Sequence, residues 1–215
     1  MEDFLYLIDS YCKEFIAVVK EVNADRGIML DRTAFYPTSG GQPNDTGIIT
    51  KGNEQFRVIS CKKQDGKIVH EIDHPGLVVG DKIHGVIDWD RRYKLMQSHT
   101  AAHIISEVIH GSTNALITGN QLDLEYSRID FSLDDYDPKK MEEYIFQANK
   151  IVADDLPISV QFMSREDAQK IPQVSKLAMG LPPSLTTVRI LSIGKFDIQA
   201  DGGTHVKSTK EVGKI

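Results

Sequence analysis

Between residues 4 and 88 the chain is a succession of short apolar runs closed by turn signals, with almost no helical period. Phe15-Ile16-Ala17-Val18-Val19, Gly27-Ile28-Met29-Leu30-Asp31, Gly47-Ile48-Ile49-Thr50, Phe56-Arg57-Val58-Ile59-Ser60, Lys67-Ile68-Val69-His70-Glu71-Ile72 and the run 81–88 read as strands. Turns fall at 23–26, at Lys51-Gly52-Asn53 and at Gln64-Asp65-Gly66, where the residue types tolerate the backbone of a tight reversal. Strands this short, at this spacing, predict a small β-barrel over residues 1–90. One stretch breaks the rhythm. Residues 33–47 place Pro37 and Pro43 around the pair Gly40-Gly41. Composition leaves two readings of it open: a long surface loop, or a loop whose backbone lies against a ligand or a neighbouring domain.

After Trp89-Asp90 the pattern changes. Residues 91–110 read as one helix, with Leu95, Ala102, Ile105 and Ile109 near one face and Gly111-Ser112 ending it. Leu116-Ile117-Thr118 and Arg128-Ile129-Asp130-Phe131 are strand candidates. Asp137-Pro138 supplies the cap and first turn of a second helix reaching about Val152. A strand at 157–162, a short helix start at 164–167, a break at Pro182-Pro183, and strands at 187–191 and 196–199 joined by a turn complete the chain. The fold class expected is therefore α+β. An N-terminal barrel domain (1–90) and a C-terminal α+β domain (91–215), with strands and helices mixed over one mixed or antiparallel sheet, are expected.

Hydrophobic residues at 40% and charged residues at 26% suit a water-soluble globular chain, and no apolar run approaches the length of a bilayer span. The start, Met1-Glu2-Asp3-Phe4, lacks the basic region of a signal peptide. Cys12 and Cys61 lie far apart with no C-x-x-C pattern, so a disulfide framework is not expected and a cytoplasmic location is. The net charge of −6 is unevenly spread: residues 1–90 hold 10 Lys+Arg against 15 Asp+Glu, and residues 91–215 hold 15 against 16. A basic cluster, Arg91-Arg92-Tyr93-Lys94, stands just before the first histidine of the helix. It reads either as a solvated face or as a set of phosphate contacts.

The seven histidines do not carry equal weight. His70, His74, His84 and His110 read as ordinary surface or satisfied core residues. His99 and His103 stand four apart in Ser98-His99-Thr100-Ala101-Ala102-His103, which stacks them one helical turn apart. No glutamate follows the first of them, so the H-E-x-x-H pattern of metalloproteases is absent. Asp201-Gly202-Gly203-Thr204-His205 brings a third imidazole. His99, His103 and His205 would give a zinc ion three protein ligands and leave one exchangeable position. Asp201 could add a fourth, carboxylate ligand or hydrogen-bond a ligating imidazole. Imidazole donors suit zinc better than magnesium or calcium. The chemistry implied is hydrolysis, through an activated water or a polarised carbonyl.

Five stretches, in order, resemble the alanyl-tRNA editing proteins of the AlaX type, free-standing relatives of the editing domain of alanyl-tRNA synthetase, whose fold also occurs in threonyl-tRNA synthetase. They are Phe35-Tyr36-Pro37-Thr38-Ser39-Gly40-Gly41-Gln42-Pro43, Asp88-Trp89-Asp90-Arg91-Arg92, the metal helix 98–103, Arg128-Ile129-Asp130-Phe131 and Gly202-Gly203-Thr204-His205-Val206. The resemblance implies a zinc-dependent hydrolase, one ion per chain, that removes wrongly attached serine, and by extension glycine, from the tRNA for alanine. Carried over by position, His99, His103 and His205 are the metal ligands. Gly40, Gly41 and Gln42 belong to a loop that would face the site. Asp201 departs from the pattern, since many members carry cysteine there.

The chain stops ten residues after His205, which matches the medium-length form, with no synthetase catalytic domain expected. No P-loop is visible and no ATP site is expected. Thr100, Asn120 and Thr204 are candidate partners for a substrate hydroxyl, and Arg91, Arg92 and Lys94 for tRNA phosphates. Two other readings stay open: a zinc hydrolase of a small ester or other aminoacyl adduct, and an RNA-binding module without catalysis.

Overall fold

The computed structural model describes residues 3–23, 26–133, 135, 137–171, 174 and 186–215. The expected break at Pro182-Pro183, and Ala24 and Asp25 of the first turn, lie outside the described residues. The chain divides into two compact units, Met1–Met96 with Gln121–Tyr126, and Gln97–Asn120 with Ser127–Ile215.

The first unit opens with a one-turn helix, α1 (Leu5–Ile8), for which no capping or periodicity signal is visible in the sequence. Six strands follow: β1 (Glu14–Val22), β2 (Gly27–Leu30), β3 (Gly47–Lys51), β4 (Glu54–Gln64), β5 (Lys67–Ile72) and β6 (Lys82–Ile87). They close into a barrel in the order β1-β2-β5-β4-β3-β6, every pair antiparallel. The expected barrel is present. Alternation drives it: Phe15, Ala17 and Val19 of β1, Ile68, His70 and Ile72 of β5, and Ile83 and Ile87 of β6 point inward. In β4 the register shifts between Val58 and Ser60. This bulge brings Cys61, where plain alternation would bring Ser60, back to the core, so one strand keeps its apolar face inward on both sides of the irregularity. Gly85 sits opposite Phe15, and a Cβ there would lie 2.6 Å from its ring. Cys12 and Cys61 are both free thiols.

The stretch 33–47 is not a surface loop over most of its length. Thr33, Ala34, Phe35 and Tyr36 are buried, and the last three belong to the barrel core. Irregular backbone survives there because side chains supply its partners. The Thr33 hydroxyl accepts from the Phe35 N–H (3.1 Å), and the Asp45 carboxylate accepts from the Tyr36 N–H (2.6 Å). Only the tip is exposed. Ser39 and Gln42 exchange backbone bonds (3.1 and 2.9 Å) around Gly40 and Gly41, whose φ values of 57° and 83° are those of a mirror-image turn.

Helix α2 (Trp89–Thr113) begins in the first unit and continues in the second. It runs beyond the expected end, because the stop is Asn114 at φ 58° and not Gly111; the Asn114 N–H donates to the His110 carbonyl (2.7 Å). Its buried stripe also differs from the expected one. Leu95 and Ile109 are buried as expected and Ala102 and Ile105 only half-buried, while Arg92, Met96, His99, Thr100, His103 and Ile104 are buried as well.

In the second unit β7 (Ile117–Gln121) and β8 (Arg128–Phe131) form a two-stranded sheet, with the last residue of β7 counted in the first unit. Helix α3 (Pro138–Ala153) is capped by Asp137, whose carboxylate accepts from the Lys139 N–H (3.0 Å). It buries Tyr144, Ala148 and Val152 against Ile104, Val108 and Ile109 of α2. Strand β9 (Ile158–Ser164), the short α4 (Arg165–Ala168), β10 (Thr187–Ile193) and β11 (Asp197–Ala200) follow, then a 3-10 turn, Thr209–Val212. The strands form an antiparallel sheet in the order β11-β10-β9. The α+β class holds, but the described strands of this half form two sheets instead of one.

Candidate metal centre

Two elements of the second unit bring the chemistry together. Helix α2 stacks His99 above His103, their ring centroids 5.3 Å apart. The segment leaving β11 supplies the rest. The Asp201 N–H donates to the Arg189 carbonyl (3.2 Å), extending the β10–β11 ladder by one residue, and the Arg189 guanidinium donates to the Asp201 carbonyl (2.7 Å). The Asp201 side chain then folds over its own backbone, with Oδ1 accepting from the Gly203 N–H (2.7 Å). A Cβ on Gly202 would meet open space, so this side-chain bond, and not a steric demand for glycine at 202, shapes the turn. The turn delivers His205 between the helical histidines, 4.3 Å from the His99 ring and 5.0 Å from the His103 ring.

One ligand atom from each of His99, His103, Asp201 and His205 lies within 4.8 Å of the others. Asp201 Oδ1 is 2.9 Å from His205 Nε2, and Oδ2 is 3.6 and 3.8 Å from the Nε2 atoms of His99 and His103. Tetrahedral zinc, with bonds of about 2.0–2.2 Å, holds its donors roughly 3.4 Å apart. Small ring rotations bring this set to that spacing, so the residues fit such an ion. Three imidazoles with one carboxylate also suit a borderline transition metal better than a hard cation.

Two of the other ring nitrogens have partners. His103 Nδ1 is 2.9 Å from Asp197 Oδ2, and Asp197 in turn accepts from the Gln199 side-chain amide (2.9 and 3.1 Å). His205 Nδ1 is 3.2 Å from the Thr100 hydroxyl, which also lies 3.4 Å from the Val206 N–H. Burial lowers His99 well below the usual imidazole value, only partly opposed by the Asp201 charge. Burial likewise takes His205 down to about 4. In His103 burial pulls the same way, but hydrogen bonds to Asp197 and Asp201 outweigh it and carry the ring up to about 9. Burial would raise Asp201, yet the three imidazoles hold it well below the ordinary carboxylate range. Burial and the Asp201 charge thus pull the three rings in different directions, and a cation bound by His103 would replace a proton on that ring.

The other sequence candidates are distributed as follows. Thr100 is buried with its hydroxyl beside His205 Nδ1. Thr204 is buried beside His205 in the same turn, and Asn120 is exposed on β7. Gly40 and Gly41 form the exposed tip in the first unit, and Gln42 is buried. Arg91 donates to the Asn44 carbonyl (3.0 Å), and Lys94 is exposed. Arg92 cannot be a phosphate contact. It is fully buried, its guanidinium paired with Asp45 and donating to the carbonyls of Ser10 (2.8 Å) and Ala34 (2.5 Å). Of the four histidines set aside, His70 is a satisfied core residue, while His74, His84 and His110 are half-buried with partners of their own. Sequence reasoning missed Asp197 and Gln199. A signal was present: positions 197, 199 and 201 alternate as polar residues, which places all three on one face of a strand.

These features define a class: a closed-barrel unit and an α+β unit in one chain, the second carrying a cluster able to hold a metal ion. The family model described as tRNA synthetases class II (A) matches residues 5–91, and the model for the threonyl and alanyl tRNA synthetase second additional domain matches residues 188–215. The alanyl-tRNA editing protein AlaX-M of Methanosarcina barkeri is 46% identical over 99% of this chain and 90% of its own length. That of Saccharolobus solfataricus is 43% identical over 100% of this chain and 91% of its own length. The alanine–tRNA ligase of Pyrococcus abyssi is 35% identical over 98% of this chain but only 23% of its own length. The chain belongs to the alanyl-tRNA editing proteins of the AlaX-M type.

Proposed function

We propose that this protein is a trans-editing deacylase that hydrolyses the ester of Ser-tRNA(Ala), and of Gly-tRNA(Ala), at a zinc centre held by His99, His103 and His205, with Asp201 as a fourth, weaker donor. The observation that carries this reading is the convergence of those four residues in a chain of the alanyl-tRNA editing family. Zinc bound there would supply Lewis acidity towards the ester carbonyl or a water of lowered pKa. The chain's own residues do the rest. His103 and His205 present Nε2 because their Nδ1 atoms are held by Asp197 and Thr100. Asp201, pinned by the Gly203 N–H, keeps a negative charge at the ring of donors. An aminoacyl ester is already activated, so positioning and modest polarisation suffice and no protein general base is needed. Arg91 and Lys94 are the proposed contacts to acceptor-end phosphates, and Gly40 and Gly41 the proposed contacts to substrate. No described helix is long and apolar enough to cross a membrane.

The test is deacylation of matched Ser-, Gly- and Ala-charged tRNA for alanine, with zinc and after chelation. Loss of serine from Ser-tRNA(Ala), abolished by chelation and restored by zinc, is expected, with Ala-tRNA(Ala) spared. If Ser-tRNA(Ala) stays intact with zinc present, the reading is wrong. Cleavage of small aminoacyl esters with no preference for tRNA would instead make the chain a small-ester hydrolase.

A further inference from the structure

Asp197 lies outside the four candidate ligands, yet it is buried, and its carboxylate is 2.9 Å from His103 Nδ1. It does not stand alone. The Gln199 amide donates to both of its oxygens, at 2.9 and 3.1 Å. Both residues belong to β11, two positions apart and so on one face, and Asp201 continues that face. The strand is fixed in turn by its ladder to β10, with Ile193 opposite Asp197 and Leu191 opposite Gln199.

We infer that Asp197, held by Gln199, is a positioning residue that fixes the ring and tautomer of His103, so that a Gln199–Asp197–His103 relay orients one metal ligand. The inference rests on the reading of the cluster as a metal centre. An ionised carboxylate can only accept a hydrogen bond. With Asp197 on Nδ1, that nitrogen must carry the proton. The lone pair of the neutral ring is then confined to Nε2, the atom 3.8 Å from Asp201 Oδ2 and on the side of the other donors. A carboxylate behind an imidazole also makes it a more basic donor than a neutral partner would. His103 is the ligand candidate with a carboxylate on its Nδ1, whereas the Nδ1 of His205 meets the Thr100 hydroxyl. Gln199 spends its amide on the two Asp197 oxygens, which leaves the carboxylate no freedom to turn away from the ring.

The experiment compares wild type, Asp197→Asn, Asp197→Ala and Gln199→Leu in the full chain. Zinc affinity is read by competition with a chromophoric chelator, and the His103 ring by long-range ¹H–¹⁵N correlation. In wild type, with or without zinc, His103 is expected to show a hydrogen-bonded, slowly exchanging Nδ1–H. Loss of an outer hydrogen-bond partner of this kind weakens metal binding about 10–100-fold, and that range is expected for both Asp197 variants, with a smaller loss for Gln199→Leu. In Asp197→Asn the amide can donate to Nδ1 and turn the proton to Nε2, which a merely structural role for Asp197 would not do. Circular dichroism selects the folded variants. If Asp197→Ala does not fold, Asp197→Asn and Gln199→Leu decide the matter. Zinc affinity within twofold of wild type in the Asp197 variants, or a wild-type His103 protonated on Nε2 alone, overturns the inference. Wild type that binds no zinc while keeping its Nδ1–H signature would sink the metal reading and leave the positioning of His103 standing.

Discussion

Replacing Arg92 by methionine should unfold the barrel unit far more readily than it weakens any contact with RNA. Methionine keeps most of the volume of the arginine stem, so the change is chiefly the loss of a charge and its donors. Arg92 Nε lies 2.9 and 3.0 Å from the two Asp45 oxygens, and one terminal nitrogen closes a second bond to Asp45. Both side chains are fully buried. Without the guanidinium, Asp45 is an ionised group in the interior with only the Tyr36 N–H left of these bonds, and the Ser10 and Ala34 carbonyls lose their donor. Removing one partner of a buried pair costs about 3–5 kcal/mol, because the other charge is left uncompensated. The buried Ala34 carbonyl, losing that bond, adds on the order of 1 kcal/mol. A loss of about 5 kcal/mol is expected, comparable to the whole stability of a marginal domain.

Trp89 makes the measurement direct. It is the only tryptophan, and it sits in the first turn of α2 against Tyr11 and Tyr93, within the same unit as the pair. Urea unfolding followed by its fluorescence therefore reports on this unit. The double variant Arg92→Met/Asp45→Leu should recover part of the loss, since an apolar pair leaves no buried charge behind. Lys94→Ala, on the exposed side of the same helix, should change stability by less than about 0.5 kcal/mol. If Arg92→Met unfolds at the wild-type urea midpoint and instead loses tRNA affinity at low salt, the guanidinium is a phosphate contact and the structural assignment is refuted.

Three further outcomes follow from the geometry. His205→Ala should abolish zinc binding, and Asp201→Asn should weaken it measurably less, by equilibrium dialysis; undiminished binding in both would place the ion elsewhere. The Ser106 hydroxyl is buried and has no hydrogen-bond partner among the described residues, so Ser106→Ala should raise unfolding stability by about 1 kcal/mol, and a comparable loss would expose a missed partner. His70, inside the barrel, is lowered by burial to about 4, its Nε2 accepting from Thr33 and its Nδ1 donating to the Ile28 carbonyl. The unfolded chain then binds this proton first as pH falls. Its contribution is present in full above about 6.5 and is lost on the way down to 4, up to about 3 kcal/mol. Wild type should show that extra acid sensitivity relative to His70→Gln, and an NMR midpoint for His70 near 6.5 would contradict it.

The strands of the barrel were readable because each alternates, and alternation needs no knowledge of partners. The failures share one cause. Apolar periodicity finds a buried face only when apolar residues occupy it, and helix α2 buries Arg92, His99, Thr100 and His103 along with Leu95 and Met96. A pattern search therefore finds Leu95 and Ile109, which are buried, but adds Ala102 and Ile105, which are only half-buried. Phe35 and Tyr36 were hidden for the converse reason: they are core residues in irregular backbone, whose bonds come from Thr33 and Asp45 across gaps no local pattern encodes. Three metal-ligand candidates were legible because the His99–His103 pair at i and i+4 is joined by a third histidine in the run Asp201-Gly202-Gly203-Thr204-His205. Asp197 was not, since an aspartate in a strand ordinarily faces water, and only the third dimension shows it facing an imidazole. Buried polar side chains are costly unless something repays them with partners. In the barrel unit Asp45 offsets Arg92; in the candidate metal centre the histidines, Asp197 and Asp201 offset one another, and the same donors could hold a cation.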